Sequence, residues 1–195
     1  MTKNNYKNDT KNIIAGKRKK LSNGFVNSPI YKGSTVLFNT VEEMQSKMKK
    51  KNSQTLFYGR FGSPATFEFE NAITDIDESY TAVATASGTA AIVASLLAVL
   101  KTGDHILMTD SAYGVSRNLT KKLLNNMGIT TTFYNPNLTN KIKELITNKT
   151  KLIFMESPGS LTFEIQNISM IVDIAKKYNL ITVIDNTWAT SLYLK

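Results

Sequence analysis

From about residue 64 onward, short apolar runs alternate with longer segments in which apolar residues recur at helical spacing. The apolar runs predict buried strands, and because they are continuous, they favour a sheet covered on both faces. Strands that alternate with helices are typical of βαβ units, so the pattern predicts an α/β domain built on a mostly parallel sheet. The predicted strands are Ala82–Thr85, His105–Thr109, Thr130–Tyr134, Leu152–Glu156 and Ile181–Ile184, and the predicted helices run from Ser87 to Lys101, Gly114 to Met127, Leu138 to Ile146 and Ile168 to Tyr178.

The first 63 residues lack this alternation. Residues 1–22 are polar and basic, which predicts a disordered tail. Residues 23–63 contain turn-forming pairs such as Asn23-Gly24, and only Val41 to Lys51 shows helical spacing. We therefore predict an extended arm over residues 23–63 that lies on another surface, and we assign residues 64–195 to the large domain.

Composition removes several classes of site. The chain has no cysteine, which excludes disulfides, thiolate nucleophiles and Cys-ligated zinc. His105 is the single histidine, which argues against a His-based metal site, so no metal is predicted. The longest apolar run, Ala90 to Leu100, is about half the length of a membrane span and lies far from the N-terminus, where a secretion signal would be. The sequence therefore predicts a cytoplasmic protein without a membrane partner.

The net charge of +9 is confined to the N-terminal quarter of the chain. Residues 1–51 hold twelve Lys/Arg and three Asp/Glu, whereas residues 52–195 hold twelve of each. Binding of nucleic acid would depend on two clusters, Lys17–Lys20 and Lys49–Lys51. Because no aromatic residues interleave with either cluster, a solvated tail is favoured over a nucleic-acid partner.

Two segments have the residue types that bind phosphate. Ala86–Ala91 lies between a predicted strand and a helix, and its small residues and helix N-terminus suit an anion, although taken alone the motif favours Ser87 as a plain helix cap. Tyr58 and Arg60 lie two residues apart in the arm and could both face one phosphate, or else form a surface turn.

Two further residues lie at predicted strand ends, where open α/β sheets place their chemistry. Tyr113 follows the second strand and could stack on a flat ring, or pack at the rim of the sheet. Asp185 ends a buried apolar run and is followed by Asn186-Thr187, which also fits a helix-capping aspartate.

These motifs, in the order in which they occur along the chain, give it a resemblance to the N-terminal half of the trans-sulfuration enzymes. These enzymes are the Cys/Met-metabolism group of pyridoxal-phosphate enzymes. The resemblance covers about residues 23–195 and implies the large domain of a fold-type I PLP-dependent transferase, incomplete in this chain and preceded by an N-terminal arm. The matching segments are Gly24–Pro29, Ser34–Phe38, Tyr58-Gly59-Arg60, Ser87–Ala91, Ala112-Tyr113-Gly114, Glu156–Ser160 and Asp185–Trp188.

The resemblance implies a role for each candidate residue toward pyridoxal 5′-phosphate. Asp185 would pair with the protonated pyridine nitrogen, and Thr187 would flank the cofactor. Tyr113 would be the catalytic residue that stacks on the ring and assists proton transfer. Gly88 and Thr89 would offer backbone N–H groups to the phosphate.

The arm takes its role from the same resemblance. Tyr58 and Arg60 would reach the phosphate from a neighbouring subunit, which implies a homo-oligomer, a dimer of dimers in this family. The arm over residues 23–63 would then be a subunit-contacting element.

The implied reaction is the α,β-elimination of cystathionine to homocysteine, pyruvate and ammonia, a step of methionine biosynthesis. Relatives that act at the γ-carbon usually have Ser-Pro-Thr-Asn where this chain has Ser157-Pro158-Gly159-Ser160. This difference favours the β-lyase branch over the alternatives, γ-synthase and γ-lyase.

One feature of the family is not matched. The family's Schiff-base lysine lies beyond the Asp-Asn-Thr motif in a Ser/Thr-Lys context, and Lys195 does not match that context. We therefore expect residues 1–195 to be inactive alone, to present an open sheet edge with an exposed apolar face, and to need a complementary C-terminal half. A non-catalytic module with a basic binding arm is the alternative.

Overall fold

The computed structural model describes residues 6–18, 22–50, 54–138 and 140–195. The chain divides into two compact units, one up to Ala84 and one from Thr85 onward. Sequence analysis assigned residues 64–84 to the large domain, whereas the structure groups them with the arm. The two units are described separately below.

The first unit is built from short helices. It contains α1 (Asn8–Ile14), α2 (Val41–Lys49), a 3₁₀ turn (Gly59–Phe61) and α3 (Pro64–Asp77). The Thr40 side chain accepts the N–H of Glu43 at the start of α2, as expected for an N-cap. Ser63 caps α3 in the same way, and Pro64 follows at the first helical position.

The N-terminal tail is ordered where sequence analysis predicted disorder. Asn8–Ile14 form α1, and the segment after it contacts α3. The N–H of Gly16 donates to Asp75 Oδ2 over 3.0 Å, and the Arg18 guanidinium pairs with Asp75 Oδ1 at 2.8 Å. The disorder prediction is wrong over these residues, because a carboxylate more than fifty residues away, that of Asp75, bonds to the backbone and to a side chain of the tail. Within the two basic clusters, Lys19, Lys20 and Lys51 lie outside the described residues.

Two arm segments singled out by sequence meet in this unit. Thr35 and Tyr58 form an isolated antiparallel bridge, and the Gly59 N–H donates to the Ser34 carbonyl over 2.6 Å. A Cβ on Gly59 would lie 2.7 Å from Ser34 Cα, so only glycine permits this approach of the two backbones.

The second unit is a four-stranded, wholly parallel α/β layer. The strand order is β2-β1-β3-β4. Its elements in chain order are α4 (Gly88–Leu97), β1 (His105–Thr109), α5 (Gly114–Leu119), β2 (Thr130–Tyr134), a 3₁₀ segment (Asn140–Leu145), β3 (Thr150–Glu156), α6 (Ile168–Lys177), β4 (Ile181–Asp185) and α7 (Thr190–Tyr193).

Both faces of the sheet are covered, as the continuous apolar strands predicted. Ile106 and Phe154 belong to a core cluster with residues of α4 and α5, whereas Leu107 and Ile153 belong to a second cluster with residues of α6. Neighbouring residues of β1 and β3 therefore face opposite layers, which confirms the predicted α/β fold class.

Most elements predicted from Ala82 onward are confirmed, with three differences, the first of which lies at the boundary of the two units. Ala82–Thr85 form no strand; the Ala84 N–H instead donates to the Glu70 carboxylate over 3.0 Å. The helix predicted from Gly114 continues after α5 as a π-helical segment, Thr120–Leu124. The helix predicted from Leu138 is the 3₁₀ segment. Apolar periodicity does not distinguish these variants, because all of them bury one helical face.

The strand order places a topological switch point in the middle of the sheet. From β1 the chain runs to β2 on one side, and it then returns across β1 to form β3 on the other side. In open α/β sheets, ligands bind in the crevice beyond the carboxyl ends of the two strands where the winding reverses. The topology therefore indicates the C-terminal ends of β1 and β3 as the place for a site.

Candidate functional site

Three residues gather at or just beyond the carboxyl ends of β1, β3 and β4. Tyr113 lies in the loop after β1, Glu156 is the last residue of β3, and Asp185 is the last residue of β4. The register pairs Glu156 directly with Asp185. The Glu156 carboxylate accepts the Tyr113 backbone N–H over 2.7 Å. Glu156 is thus hydrogen-bonded to the backbone of Tyr113 and lies opposite Asp185 in the sheet.

Glu156 is the residue to which sequence analysis gave no role. It is only 4% exposed, and a buried carboxylate is costly unless it is hydrogen-bonded. Burial raises the pKa of Glu156 above its usual value, the Tyr113 N–H opposes this shift, and the negative charge of Asp185 adds to it. The available sequence signal was an acidic residue that ends an apolar strand, the same signal that identified Asp185.

Asp185 is half-buried, and its carboxylate is oriented locally. Oδ1 accepts the Thr187 N–H over 3.0 Å and also the Thr187 hydroxyl. Among the described residues, the hydrogen bonds to this carboxylate involve Oδ1 alone, so Oδ2 is left to a further donor. Thr187 therefore orients Asp185, a contact that sequence analysis did not anticipate.

The loop after β3 is held by a buried polar network. Gln166 donates through Nε2 to the Glu156 carbonyl over 2.7 Å and accepts the Tyr134 hydroxyl at Oε1 over 2.8 Å. Its backbone N–H donates to Ser157 Oγ over 3.0 Å. Burial raises the pKa of Tyr134, so the phenol remains a neutral donor. The network fixes the backbone that carries Glu156.

The same loop packs tightly against the loop that carries Tyr113. The Ser160 N–H donates to the Ser111 carbonyl over 2.7 Å. A Cβ on Gly159 would lie 2.7 Å from both Cβ and Oγ of Ser111. The glycine of the Ser-Pro-Gly-Ser motif is therefore required for the two loops to approach each other.

The segment around Gly88 begins α4. Ser87 accepts the Ala90 N–H at its Oγ over 3.1 Å, which confirms the helix-cap interpretation of that residue. The cap does not use the N–H groups of Gly88 and Thr89, which have no acceptor within a helix. A Cβ on Gly88 would meet no atom within 4 Å, so the space beside this backbone is open. The cap and an anion site are compatible here.

Tyr58 and Arg60 lie in the first unit, on and beside the 3₁₀ turn. The Arg60 guanidinium lies 4.8 Å from the centre of the Phe61 ring, and both Tyr58 and Arg60 are exposed. Their assignment to the phosphate of a neighbouring subunit stays a prediction.

Neither a metal cluster nor a membrane-spanning helix is found in the described part of the chain. Within it, no group of three or more His, Cys, Asp or Glu side chains is placed to hold a metal ion. None of the helices described combines the length and apolar character needed to cross a bilayer.

The chain resembles proteins of one family in both sequence and structure. A cystathionine beta-lyase of Salmonella typhimurium is 36% identical over 96% of this chain and 48% of its own length. A putative cystathionine beta-lyase of Saccharomyces cerevisiae is 41% identical over 92% of this chain and 51% of its own length. An L-alanine/L-glutamate racemase of Wolbachia pipientis is 34% identical over 94% of this chain. The chain spans about half the length of these curated relatives.

Solved structures agree. A cystathionine gamma-lyase of Lactobacillus plantarum, complexed with L-serine, matches 95% of this chain and 46% of its own with a TM-score of 0.82 and 28% identity. The metB protein of Corynebacterium glutamicum matches 96% of this chain and 47% of its own with a TM-score of 0.85 and 27% identity. The family model for Cys/Met metabolism PLP-dependent enzymes matches residues 9–195. The chain therefore belongs to the Cys/Met metabolism family of PLP-dependent enzymes.

Proposed function

We propose that residues 1–195 form the cofactor-binding, N-terminal half of a carbon–sulfur lyase that cleaves cystathionine. The observation that carries this proposal is the cluster of Tyr113, Glu156 and Asp185 at the strand ends beside the switch point. Family membership and the named cystathionine beta-lyases among the relatives support it.

The residues at the strand ends suit pyridoxal phosphate. Asp185 has one carboxylate oxygen held by Thr187 and the other left for a donor, as a protonated pyridine nitrogen would require. Tyr113 is 48% exposed, which leaves an aromatic face for stacking. In this proposal Tyr113 also assists proton transfer at the substrate.

The phosphate would lie at the start of α4. The free N–H groups of Gly88 and Thr89, together with the open space beside Gly88, suit an anion at a helix N-terminus. Tyr58 and Arg60 of a neighbouring subunit would add a hydroxyl and a guanidinium. The proposal therefore includes a homo-oligomer, a dimer of dimers. We also propose that the protein acts in the cytoplasm.

The reaction is an α,β-elimination. Cystathionine and one water yield homocysteine, pyruvate and ammonia, so the bond broken is that between the β-carbon and sulfur, and the proton is lost from the α-carbon. Bound pyridoxal phosphate supplies electron withdrawal from that α-carbon. Asp185 would sustain this withdrawal by keeping the pyridine nitrogen protonated.

Activity would require a second stretch of polypeptide. Among the described strands, β4 pairs with β3 alone, so its other edge is open. In the same unit, the loop after β3, the first residues of α6 and the segment 188–194 line a largely apolar cavity of about 650 Å³. We propose that a C-terminal half covers this surface and supplies both the Schiff-base lysine and the substrate-carboxylate site, and that the chain alone is inactive.

The test is complementation. Residues 1–195 are co-expressed with the second half of the Salmonella relative, and pyruvate release from cystathionine is measured. The pair is expected to be active, the chain alone inactive, and the pair carrying Asp185→Asn to lose at least about a hundredfold in rate because the ring nitrogen loses its anionic partner. Full activity of the Asp185→Asn pair would contradict the proposed site, and turnover by the chain alone would contradict the need for a second half.

Product identity separates the alternatives. Release of 2-oxobutyrate instead of pyruvate would indicate γ-elimination. Racemisation of alanine without sulfur release would indicate the activity named for the Wolbachia relative, which is 34% identical to this chain.

A basic binding arm is the remaining alternative. In the described part of the arm, three cations are already paired within the fold: Lys11 with Glu78, Arg18 with Asp75 and Lys47 with Glu43. Binding of the intact chain to duplex DNA or to an acidic peptide that weakens steeply with salt would favour this alternative.

A further inference from the structure

The buried Glu156 carboxylate joins two loops of the proposed site. From the end of β3 it accepts the Tyr113 N–H over 2.7 Å, and its Cα lies opposite that of Asp185 in the register. Its own backbone is fixed by Gln166, which donates to the Glu156 carbonyl. The side chain therefore extends from a rigid strand to a residue that is half exposed.

We infer that Glu156 is a positioning residue of this site, and that its carboxylate holds the Tyr113 backbone in place so that the aromatic ring lies over the crevice next to Asp185. The inference rests on the proposed function for the identity of the ring that Tyr113 faces. The contact itself is independent of that identity.

The local geometry shows why a side chain is needed here. Tyr113 immediately precedes α5, and no side chain of its own segment caps that helix. The Glu156 carboxylate reaches this segment from the neighbouring strand and accepts the N–H of Tyr113 itself in a charge-assisted hydrogen bond, as the glutamate of a capping box does. The contact of Ser160 with Ser111 holds the same two loops together two residues earlier, but it does not reach Tyr113.

The first test measures hydrogen exchange at the Tyr113 amide in the intact chain. Glu156→Asp keeps the charge but shortens the side chain by one methylene, and exchange at Tyr113 is expected to accelerate about tenfold, the equivalent of one lost hydrogen bond. Glu156→Gln keeps the reach and one acceptor oxygen, so most of the protection should remain. Unchanged exchange in Glu156→Asp would overturn the inference.

The matched control is Ser157→Ala. Ser157 is the next residue, and its hydroxyl accepts the N–H of Gln166 instead of that of Tyr113. Its substitution should reduce the free energy of unfolding of the whole chain. Hydrogen exchange at the Tyr113 amide should then accelerate by no more than this global loss of stability explains. Equal acceleration at Tyr113 in this control and in Glu156→Asp would reduce Glu156 to a structural role and overturn the inference.

The second test uses pyridoxine 5′-phosphate, which has no aldehyde and forms no bond to lysine, with Trp188 fluorescence as the readout. Glu156→Asp is expected to weaken binding about tenfold, and Glu156→Gln to retain more affinity than Glu156→Asp. Equal affinities of the wild type and Glu156→Asp, with Tyr113 deprotected, would overturn the positioning role. Failure of the wild type to bind would count against the proposed cofactor site, and the amide measurement would then decide the role of Glu156.

Discussion

His105 shows how a single buried residue makes stability depend on pH. Its ring nitrogens bond to two threonines on the neighbouring strands, Nδ1 to Thr150 Oγ1 at 2.8 Å and Nε2 to Thr132 Oγ1 at 2.9 Å. Burial lowers the pKa of His105 because it penalises the imidazolium. As pH falls below about 6.5, the unfolded chain takes up a proton first, so the folded state loses stability down to the lowered pKa.

Replacing His105 should therefore remove part of the acid sensitivity. His105→Gln is expected to lower the free energy of unfolding by about 1–3 kcal/mol at pH 7.5, because it removes the hydrogen bonds that the buried imidazole makes to Thr132 and Thr150. The difference in the free energy of unfolding between wild type and variant, measured with urea, should be smaller at pH 5.5 than at pH 7.5. Thr132→Val, which removes one partner but no titrating group, serves as the control, and an equal difference for His105→Gln at both pH values would contradict the prediction.

Gly159 shows that a motif glycine can be a packing requirement. A Cβ there would lie 2.7 Å from the Ser111 side chain. Gly159→Ala is therefore expected to lower the free energy of unfolding, measured with urea, by about 1–3 kcal/mol. Ser111→Gly removes the clashing atoms. The free energy of unfolding of the double variant should therefore fall by less than the sum of the decreases in the two single variants. Gly114→Ala is the control, since a Cβ there meets nothing within 4 Å. Strict additivity would show that the two residues are not coupled.

At the scale of elements, the contact of the tail with α3 is the least expected feature. Asp75 is the common acceptor of Gly16 and Arg18. Burial alone would raise the pKa of Asp75, but the bonds from Arg18 and from the Gly16 N–H lower it overall. The contact therefore depends on an ionised carboxylate, and it weakens as pH falls through that lowered pKa.

Loss of this carboxylate should release the tail locally. Asp75→Asn is expected to increase tryptic cleavage after Lys11 and Lys17 about fivefold, because a partly exposed ion pair with one backbone bond contributes about 1 kcal/mol. Global unfolding of the second unit should not change. Asp77→Asn, an exposed position on the same helix, is the matched control, and equal cleavage of the two variants would contradict a specific role for Asp75.

At the scale of the whole molecule, the apolar surface beside β4 is the feature to explain. Trp188 is 60% exposed and packs edge-on against Phe163, with ring centres 5.2 Å apart. Exposed apolar patches and open sheet edges are both typical of surfaces that another polypeptide covers. The half-length match to the relatives is consistent with that explanation.

The only tryptophan of the chain reports on this surface. In the isolated chain, Trp188 emission should be red-shifted and readily quenched by acrylamide. With a tryptophan-free version of the second half bound, emission should shift to the blue and quenching should fall. A Trp188→Phe chain provides the background signal, and unchanged emission in an active pair would show that the second half covers a different surface.

The sequence by itself determined the parallel α/β layer, most of its element boundaries and the two strand-end residues Tyr113 and Asp185. These are encoded by local apolar periodicity and by polar residues at the ends of strands. The tertiary structure alone decided that the tail after α1 is held in place and that Ala82–Thr85 form no strand, because these segments bond to the carboxylates of Asp75 and Glu70. It also decided the role of Glu156, since a hydrogen bond between residues 43 positions apart leaves no periodic trace in the chain.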